Sequence, residues 1–454
     1  MLVENLDTDL VPATPMARAR AAMAALRLIN SGSISEPTGA DRQTLLAWSG
    51  WGSLAPAFDV APTGGWATIA EELDAVLDDA AMASAVQQVD TSFFTPNSLI
   101  DHVFDVLTSV GFTGGRVLEP GCGTGRFMSR TPSGLNIDWT GVEIDPTSAR
   151  IASALHPDAQ IINAPLESHH FVSGSFDAVV GNVPFSSAHI HDPAYGSANL
   201  HEYFMLRGID AVRPGGYVVI LTSRFVMDSG DVPQKFQKHG AELMAAVRLP
   251  SGAFNSEGTE VVVDMLILRK PQAGDATAET QLMSEKLVAD SMWDKPSRVR
   301  VLEPAAGAAF GPSAEVNWYW GQKPEHVAGT MKVSTFYQNP IVVESDDPAA
   351  DIARAVAAAT AGLPAQGPEA TRVPSLAAVP LVDAQGRKEG SFHVVDDTIH
   401  EVIGGVLTPV RNSLELRALI AFRDAAVRLV ALESDANLPD SEIVEARAHA
   451  HMLY

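Results

Sequence analysis

The chain has 454 residues, 46% of them hydrophobic and 19% charged, with a formal net charge of −24 and one cysteine, Cys122. That length calls for two or three domains with real cores, and a lone cysteine excludes a disulfide within the chain and speaks against cysteine-based zinc sites. The acidic balance argues against a chain that holds nucleic acid tightly by itself, since that affinity comes largely from neutralising phosphates with Lys and Arg; a DNA substrate would need a local basic surface, another domain or another subunit.

The opening residues, MLVENLDTDL, are acidic and lack the pattern of a signal peptide. No apolar run reaches the roughly 18 residues of a membrane span, so a cytoplasmic protein with no membrane partner is expected. TPMARARAAMAALRLIN (14–30) predicts a helix, with Thr14 as cap and Pro15 in the first turn. Trp48 and Trp51 in LLAWSGWGSLAPAF read as core anchors, and WATIAEELDAVLDDAAMASAV as a further helix. Residues 1–90 are therefore expected to form a helical N-terminal domain.

From residue 91 the pattern alternates between strand and helix. RVLEP (116–120), DWTGVEI (138–144), AQIINA (159–164), DAVVGN (177–182) and GYVVILTS (216–223) are short apolar strands separated by helical segments. This pattern predicts an α/β fold with a mostly parallel sheet. AELMAAVRLP (241–250) and VVVDMLILRK (261–270) are joined by a short Gly-containing loop, which predicts an antiparallel edge hairpin. The sheet domain is expected over 91–272. PQAGDATAET reads as a linker, and 273–454 as a mixed α+β C-terminal region that contacts DNA or a partner. That region includes a Pro/Ala-rich connector, a hairpin turning at Asp396–Asp397 and a strong amphipathic helix carrying Arg417, Arg423 and Arg428.

VLEPGCGTGRFM places Glu119, Pro120, Gly121, Gly123 and Gly125 between a strand and a helix. Glycines at alternate positions let the backbone turn sharply and approach a ligand. A dinucleotide site is the rival, but E-x-G-x-G-x-G differs from G-x-G-x-x-G. The spacing resembles the loop that S-adenosylmethionine (SAM) methyltransferases place under the amino-acid end of their cofactor. Glu143, eighteen residues after Gly125, ends the second strand, where a carboxylate can accept hydrogen bonds from ribose hydroxyls; Asp145 is its neighbouring alternative. Glu167, after the third strand, is a candidate for the adenine amino group.

The fourth strand ends GNVPF, with Asn182, Val183, Pro184 and Phe185 at the crevice of such a sheet. An exocyclic amine of a flat heterocycle attacks poorly because its lone pair is delocalised. An amide oxygen and a main-chain carbonyl can accept both amine hydrogens and aim the lone pair, while an aromatic ring stacks the base.

The order SFFTP (92–96), EPGCGTG, GVEIDP, GNVPF resembles N6-adenine-specific DNA methyltransferases with a [DNS]PP[YF] motif. That resemblance implies Thr95 and Pro96 at the methionine part of SAM, Asn182 and Phe185 as catalytic, and DNA with a flipped adenine as the substrate. Val183 departs from the usual Pro and introduces a main-chain N–H. LLAWSGWGSLAPAF, GNVPFSSAHIHDPAYGSANLHEYF and VRLPSGAFNSEGTEVVVDMLILRK are similar to the methyltransferase part of large phage and mobile-element proteins in which it is fused to a Swi/Snf-like helicase. The resemblance implies a Rossmann-like SAM-dependent methyltransferase, in a restriction-modification, phage-defence or anti-restriction setting. With no helicase motif in these residues, the chain is read as either a stand-alone relative or one piece of a split system with a separate helicase subunit as a partner.

The alternatives are a methyltransferase acting on RNA or on a protein glutamine, and a non-catalytic SAM-fold scaffold. In SSAHIHDPAYGSANLHEYF, His189, His191 and His201 read as part of a mobile polar loop rather than a metal site, and Tyr195 as a stacking partner for a base. Arg224 and Arg248 read either as phosphate contacts or as surface ion pairs.

Overall fold

A computed structural model describes residues 12, 14–32, 37–89, 94–169, 171–185, 188–192, 195–228, 232–254, 262–272, 299–302, 314–317, 319–333, 341–366, 382–383, 391–395, 398–403, 406–410, 413–433 and 440–453. The chain divides into two units, Met1–Glu167 with Phe171–Thr371 and Ser168–His170 with Arg372–Tyr454. Ser92 and Phe93 of SFFTP, residues 273–280 of the linker and 367–380 of the connector lie outside the described residues.

The first unit begins with four helices. α1 (Pro15–Asn30) starts where the Thr14 side chain accepts the Ala17 N–H, and α2 (Gly39–Leu46) where Thr38 and Asp41 form a reciprocal capping box. After a 3-10 turn (Trp51–Ala57) come α3 (Gly65–Val76) and α4 (Asp79–Gln88). The single helix expected from the sequence here is two, because the Asp78 carboxylate accepts the Ala81 N–H and starts a new one. Trp48 and Trp51 are both core residues, in edge-to-face contact at 4.9 Å.

The sheet and its helices follow as α5 (Asn97–Ser109), β1 (Gly114–Pro120), α6 (Arg126–Ser129), β2 (Asn136–Glu143), α7 (Pro146–Leu155), β3 (Gln160–Asn163), β4 (Phe176–Asn182), β5 (His189–Asp192), β6 (Gly196–Asn199), α8 (Leu200–Ala211), β7 (Val212–Ser223), α9 (Phe225–Asp228), α10 (Val232–Lys238), β8 (Glu242–Arg248) and β9 (Val263–Arg269). Seven of these strands form one sheet in the order β3-β2-β1-β4-β7-β9-β8. β9 is antiparallel to both neighbours, and the other described pairings are parallel. The expected α/β sheet with an antiparallel hairpin at one edge is thus the fold observed.

Alternation along the strands sorts their side chains to two faces. Leu118, Val179, Val218 and Ile220 share one core cluster with α8, while Val117, Ala178, Val180 and Val219 share the other with α5. The N-terminal helices are joined to the sheet through α7. Ile151, Ala154 and Leu155 enter the core built by α1, α2 and the tryptophans. The Trp48 indole N–H donates to Ser148 Oγ at 3.3 Å, Arg42 donates to the Leu155 carbonyl at 3.0 Å, and Arg150 to Asn30 Oδ1 at 3.0 Å.

Beyond the sheet, β10 (Val299–Leu302) pairs with β11 (Ala314–Asn317), α11 (Tyr319–Gln322) follows, β12 (Thr330–Val333) pairs with β13 (Ile341–Glu344), and α12 (Pro348–Thr360) covers the α5 face. Arg248 lies at the centre of this region. Its guanidinium takes both Asp264 oxygens at 2.9 Å and Asp228 at 3.1 Å, and stacks over Trp320 at 4.4 Å. Arg224 pairs with Asp228 at 2.9 Å. Arg248 is fully buried and Arg224 nearly so. The two arginines therefore sit in an internal charge network, and neither of the roles read from the sequence, phosphate contact or surface ion pair, describes them.

The second unit carries a small sheet of β14 (Val382–Asp383), β15 (Phe392–Val395), β16 (Thr398–Ile403) and β17 (Val406–Pro409), with α13 (Leu414–Glu433) and α14 (Asp440–Leu453). Val395 pairs with Thr398, so the expected hairpin forms; Asp396 and Asp397 themselves lie outside the described residues. Among the described residues no helix is long and apolar enough to cross a membrane.

Removing one partner of a buried ion pair leaves an uncompensated charge, which costs about 3–5 kcal/mol. Asp264→Ala is therefore expected to lower unfolding stability by that amount in a urea titration. Lys332→Ala, at an exposed pair with Glu344, should change it by less than about 1 kcal/mol.

Candidate active site

From β1 the sheet continues to β2 and β3 on one side and to β4 and β7 on the other. Ligands of open α/β sheets bind in the crevice at the carboxyl ends of the strands where the order reverses in this way. A cavity of about 320 Å³ occupies this position. Its wall includes Glu119 near the end of β1, Gly121 and Gly123 after it, Glu143 at the end of β2, Glu167 after β3, Asn182 at the end of β4, and Val183, Pro184 and Phe185 after it. Thr95, just before α5, also borders it.

The turn after β1 is built from main-chain bonds. The Gly121 and Cys122 N–H groups both donate to the Val142 carbonyl, at 2.8 and 3.0 Å. Gly123 has φ +55°, and a Cβ there would lie 2.9 Å from the Phe94 ring, so only glycine fits both the backbone and the space. Its N–H donates to Glu143 Oε2 at 2.7 Å, while the Asp145 N–H donates to Oε1 at 2.8 Å. One carboxylate thus ties the glycine turn to the start of α7. Burial pushes the Glu143 carboxyl up to about 7, against the opposing effect of the N–H groups that donate to it. Asp145, the alternative acid, instead caps α7 through the Ser148 N–H and hydroxyl, at 2.9 and 2.7 Å, and does not border the cavity.

Glu119 is 3% exposed, and its Oε2 has no hydrogen-bond partner among the described residues. Burial, and then the neighbouring Glu143, push its carboxyl well above the ordinary range. A buried acid of this kind stays neutral unless a donor or a cation, such as a ligand can bring, pairs with it. Arg126 borders the same cavity, with its guanidinium 4.5 Å from the Phe94 ring centre and one N–H donated to the Thr95 carbonyl at 3.2 Å. The wall therefore offers carboxylates, a guanidinium and apolar surface from Val142, Ile144 and Leu166. This donor set fits a ligand with an ammonium, a carboxylate and a nucleoside, as SAM has. Cys122 is buried beside both acids, and burial raises its thiol pKa, so it is a packed residue rather than a nucleophile.

Three residues of the two motifs stand behind the wall rather than on it. Pro96 is the N-cap of α5, Pro120 ends β1, and Gly125 opens α6 in the left-handed conformation. The N–H introduced by Val183 donates to the Leu221 carbonyl at 3.1 Å, extending the β4–β7 ladder by one bond, and the valine side chain is buried in the core. Phe185 is half-buried, with its ring tilted against Phe254 at 6.4 Å.

The segment after this motif forms the β5–β6 hairpin, and Ala188 and Ile190 border the cavity. The Tyr203 hydroxyl donates to Asp192 at 2.7 Å, which anchors the hairpin to α8. Tyr195 does not reach the cavity: its hydroxyl donates to Asp210 at 2.6 Å and its ring stacks on His239, so it is part of the anchor and not a platform for a base. Among the described residues no cluster of three or more His, Cys, Asp or Glu side chains is arranged to hold a metal ion.

Sequence reasoning missed Gln87, Gln88, Phe94, Arg126, Ile144 and Leu166, all on the cavity wall. Arg126 directly follows the glycine turn and was open to recognition. The two glutamines belong to no motif.

A family model described as a methyltransferase domain matches residues 117–203. The chain is 32% identical over 191 residues to the defense against restriction protein B of Escherichia phage P1, a match covering 40% of this chain and 8% of that protein. It is 36% identical over 110 residues to the type II methyltransferase M.CvrRI of Paramecium bursaria Chlorella virus XZ-6E, covering 22% of this chain and 27% of the viral one. It is 25% identical over 179 residues to the rRNA N(6)-adenosine-methyltransferase metl-5 of Caenorhabditis elegans, covering 36% and 79%. The chain spans well under two thirds of the first two relatives. Residues 117–203 lie in a Rossmann-like methyltransferase domain, and SAM is its cofactor.

Val183→Pro would remove the bond to Leu221 and leave a carbonyl without its partner, at a cost of about 1–3 kcal/mol. Denaturant unfolding is expected to register that loss.

Proposed function

We propose that this domain transfers the methyl group of SAM to the N6 amine of adenine in DNA, in a restriction-modification, phage-defence or anti-restriction setting. The observation that carries the proposal is the shared cavity: Asn182, Pro184 and Phe185 border the same space as Glu119, Gly121 and Glu143.

In this reading Glu143 faces the ribose hydroxyls, Glu119 the ammonium and Arg126 the carboxylate of the cofactor, with Thr95 and the glycine turn beneath its methionine part. Glu167 serves the adenine amino group from the mouth of the cavity. Bound SAM supplies an electrophilic methyl on a sulfonium. The chain's own work is then to present the nucleophile. Asn182 Oδ1 and the Val183 carbonyl accept the two hydrogens of the target amine, which localises its lone pair. Phe185 stacks the extruded base. No strong base is needed in the motif, because the proton is lost from nitrogen only once methylation has made it acidic.

The same arrangement serves an adenine in RNA, and the similarity to a protein named as an rRNA adenosine methyltransferase favours that second reading. The resemblance of the motifs to fused phage proteins leaves two forms of the proposal, a stand-alone enzyme or one piece of a split system that works with a separate helicase subunit.

The deciding measurement is transfer of labelled methyl from SAM to unmodified DNA and to RNA, followed by nucleoside analysis. Label is expected in N6-methyladenine from DNA, falling about 100-fold or more in Asn182→Ala, with SAM affinity retained. Label confined to RNA would overturn the DNA target. A second expectation concerns pH. The Glu143 carboxyl is protonated in the free protein below about 7, and a neutral acid accepts hydrogen bonds and a cation less well than a carboxylate. SAM affinity should therefore rise about tenfold between pH 5.5 and 7.5, and the rise should flatten in Glu143→Gln when followed by calorimetry.

A further inference from the structure

The helical N-terminal segment reaches the cofactor cavity directly. Gln87 and Gln88, at the last turn of α4, border it together with Glu143, Ile144 and Glu167. We infer that these two amides form a wall of the nucleoside half of the SAM site, so that the helices preceding the methyltransferase fold are part of cofactor binding. The inference rests on SAM being the cofactor.

Two independent features support this placement. The first is depth. Glu119, 3% exposed, marks the buried end of the cavity; a Cβ on Gly181, one residue before Asn182, would stand 3.9 Å from its side chain. The methionine half, which must bring its methyl to Asn182, belongs there. Ile144 is 49% exposed and Glu167 is exposed, so these residues mark the open end, where the nucleoside lies. Gln87 is also exposed, which puts it at the same end. Neutral amides, able both to donate and to accept, match ring nitrogens and hydroxyls, whereas the deeper Glu119 matches the ammonium.

The second feature is mechanical. α4 leads within six residues to Phe94, whose ring limits the space beside Gly123. The helical segment is also bonded to the element that follows Glu143. Trp48 donates to Ser148, and Ser148 in turn donates to Asp145, whose own N–H holds the Glu143 carboxylate. The N-terminal helices are therefore bonded to the start of α7, directly after β2, while α4 borders the cavity. The ligand completes the contact between α4 and the sheet.

The test uses the full chain and three probes: SAM, S-adenosylhomocysteine and methylthioadenosine, which has no amino-acid end. The paired change Gln87→Ala with Gln88→Ala is expected to weaken all three about tenfold by the same factor, with the unfolding midpoint of the ligand-free protein unchanged. Gln87→Met with Gln88→Met keeps side-chain length and helix propensity while removing the amides, and should do the same. Affinities equal to wild type in both variants would overturn the inference and leave the cofactor assignment standing. A loss that tracks a lowered ligand-free midpoint would overturn it in favour of a packing role, and wild-type protein that binds none of the probes would overturn both.

Discussion

The site depends on one buried carboxylate. Glu143 holds the Gly123 N–H with one oxygen and the Asp145 N–H with the other, so the turn after β1 and the start of α7 are fixed to the same group. Asp145, positioned by that bond, caps α7 through Ser148, and Ser148 receives Trp48 from the N-terminal helices. A side chain that orders three elements at once is expensive to ionise in a buried place, and its two N–H donors are what bring a charged form within reach near neutral pH. In the proposed reading, structural and ligand-binding duties would fall on the same atoms.

The distribution of charge within the cavity bears on the chemistry. Glu119 and Glu143 lie deep, with Arg126 as the guanidinium on the wall. A cationic ligand relieves the repulsion between the two acids, whereas a phosphate would meet them head-on. This separates the site from the dinucleotide sites that also use glycine turns. It would also account for the neutral chemistry proposed for GNVPF: with a sulfonium at hand and acids beneath it, an amide and an aromatic ring would complete the site without a further charge.

Much of this was legible in the sequence because it is written in short contiguous pieces. Strand, glycine turn and second-strand acid occupy residues 116–143, and the end of β4 announces itself by an amide and a proline after an apolar run. What escaped was brought together by distant pairing. Arg248 looks exposed because it precedes a loop, yet the hairpin register sets it opposite Asp264. The signal was present as opposite charges near the facing ends of two adjoining apolar strands. Tyr195 was misplaced because a polar loop rich in His and Ser reads as mobile, whereas its anchors, Asp210 and His239, lie on other elements. Gln87 and Gln88 carried no signal, for exposed glutamines at a helix end are ordinary until the fold shows what they face.

The acidity of the chain constrains how the proposed substrate is held. Arg207, Arg213, Arg224 and Arg248 are all buried and committed to Asp192, Asp177, Asp228 and Asp264 within the fold. Each such pair removes one positive and one negative charge from the surface, so the net charge is unchanged while fewer cations remain to meet phosphates. If DNA is the substrate, as proposed, its affinity for this unit would come from contacts with the extruded base, which are short-ranged and weakly dependent on salt, more than from the backbone. On that proposal the domain would engage DNA weakly by itself and gain residence from whatever else holds the strand, which is the division of labour expected when base chemistry and strand binding reside in different domains or subunits.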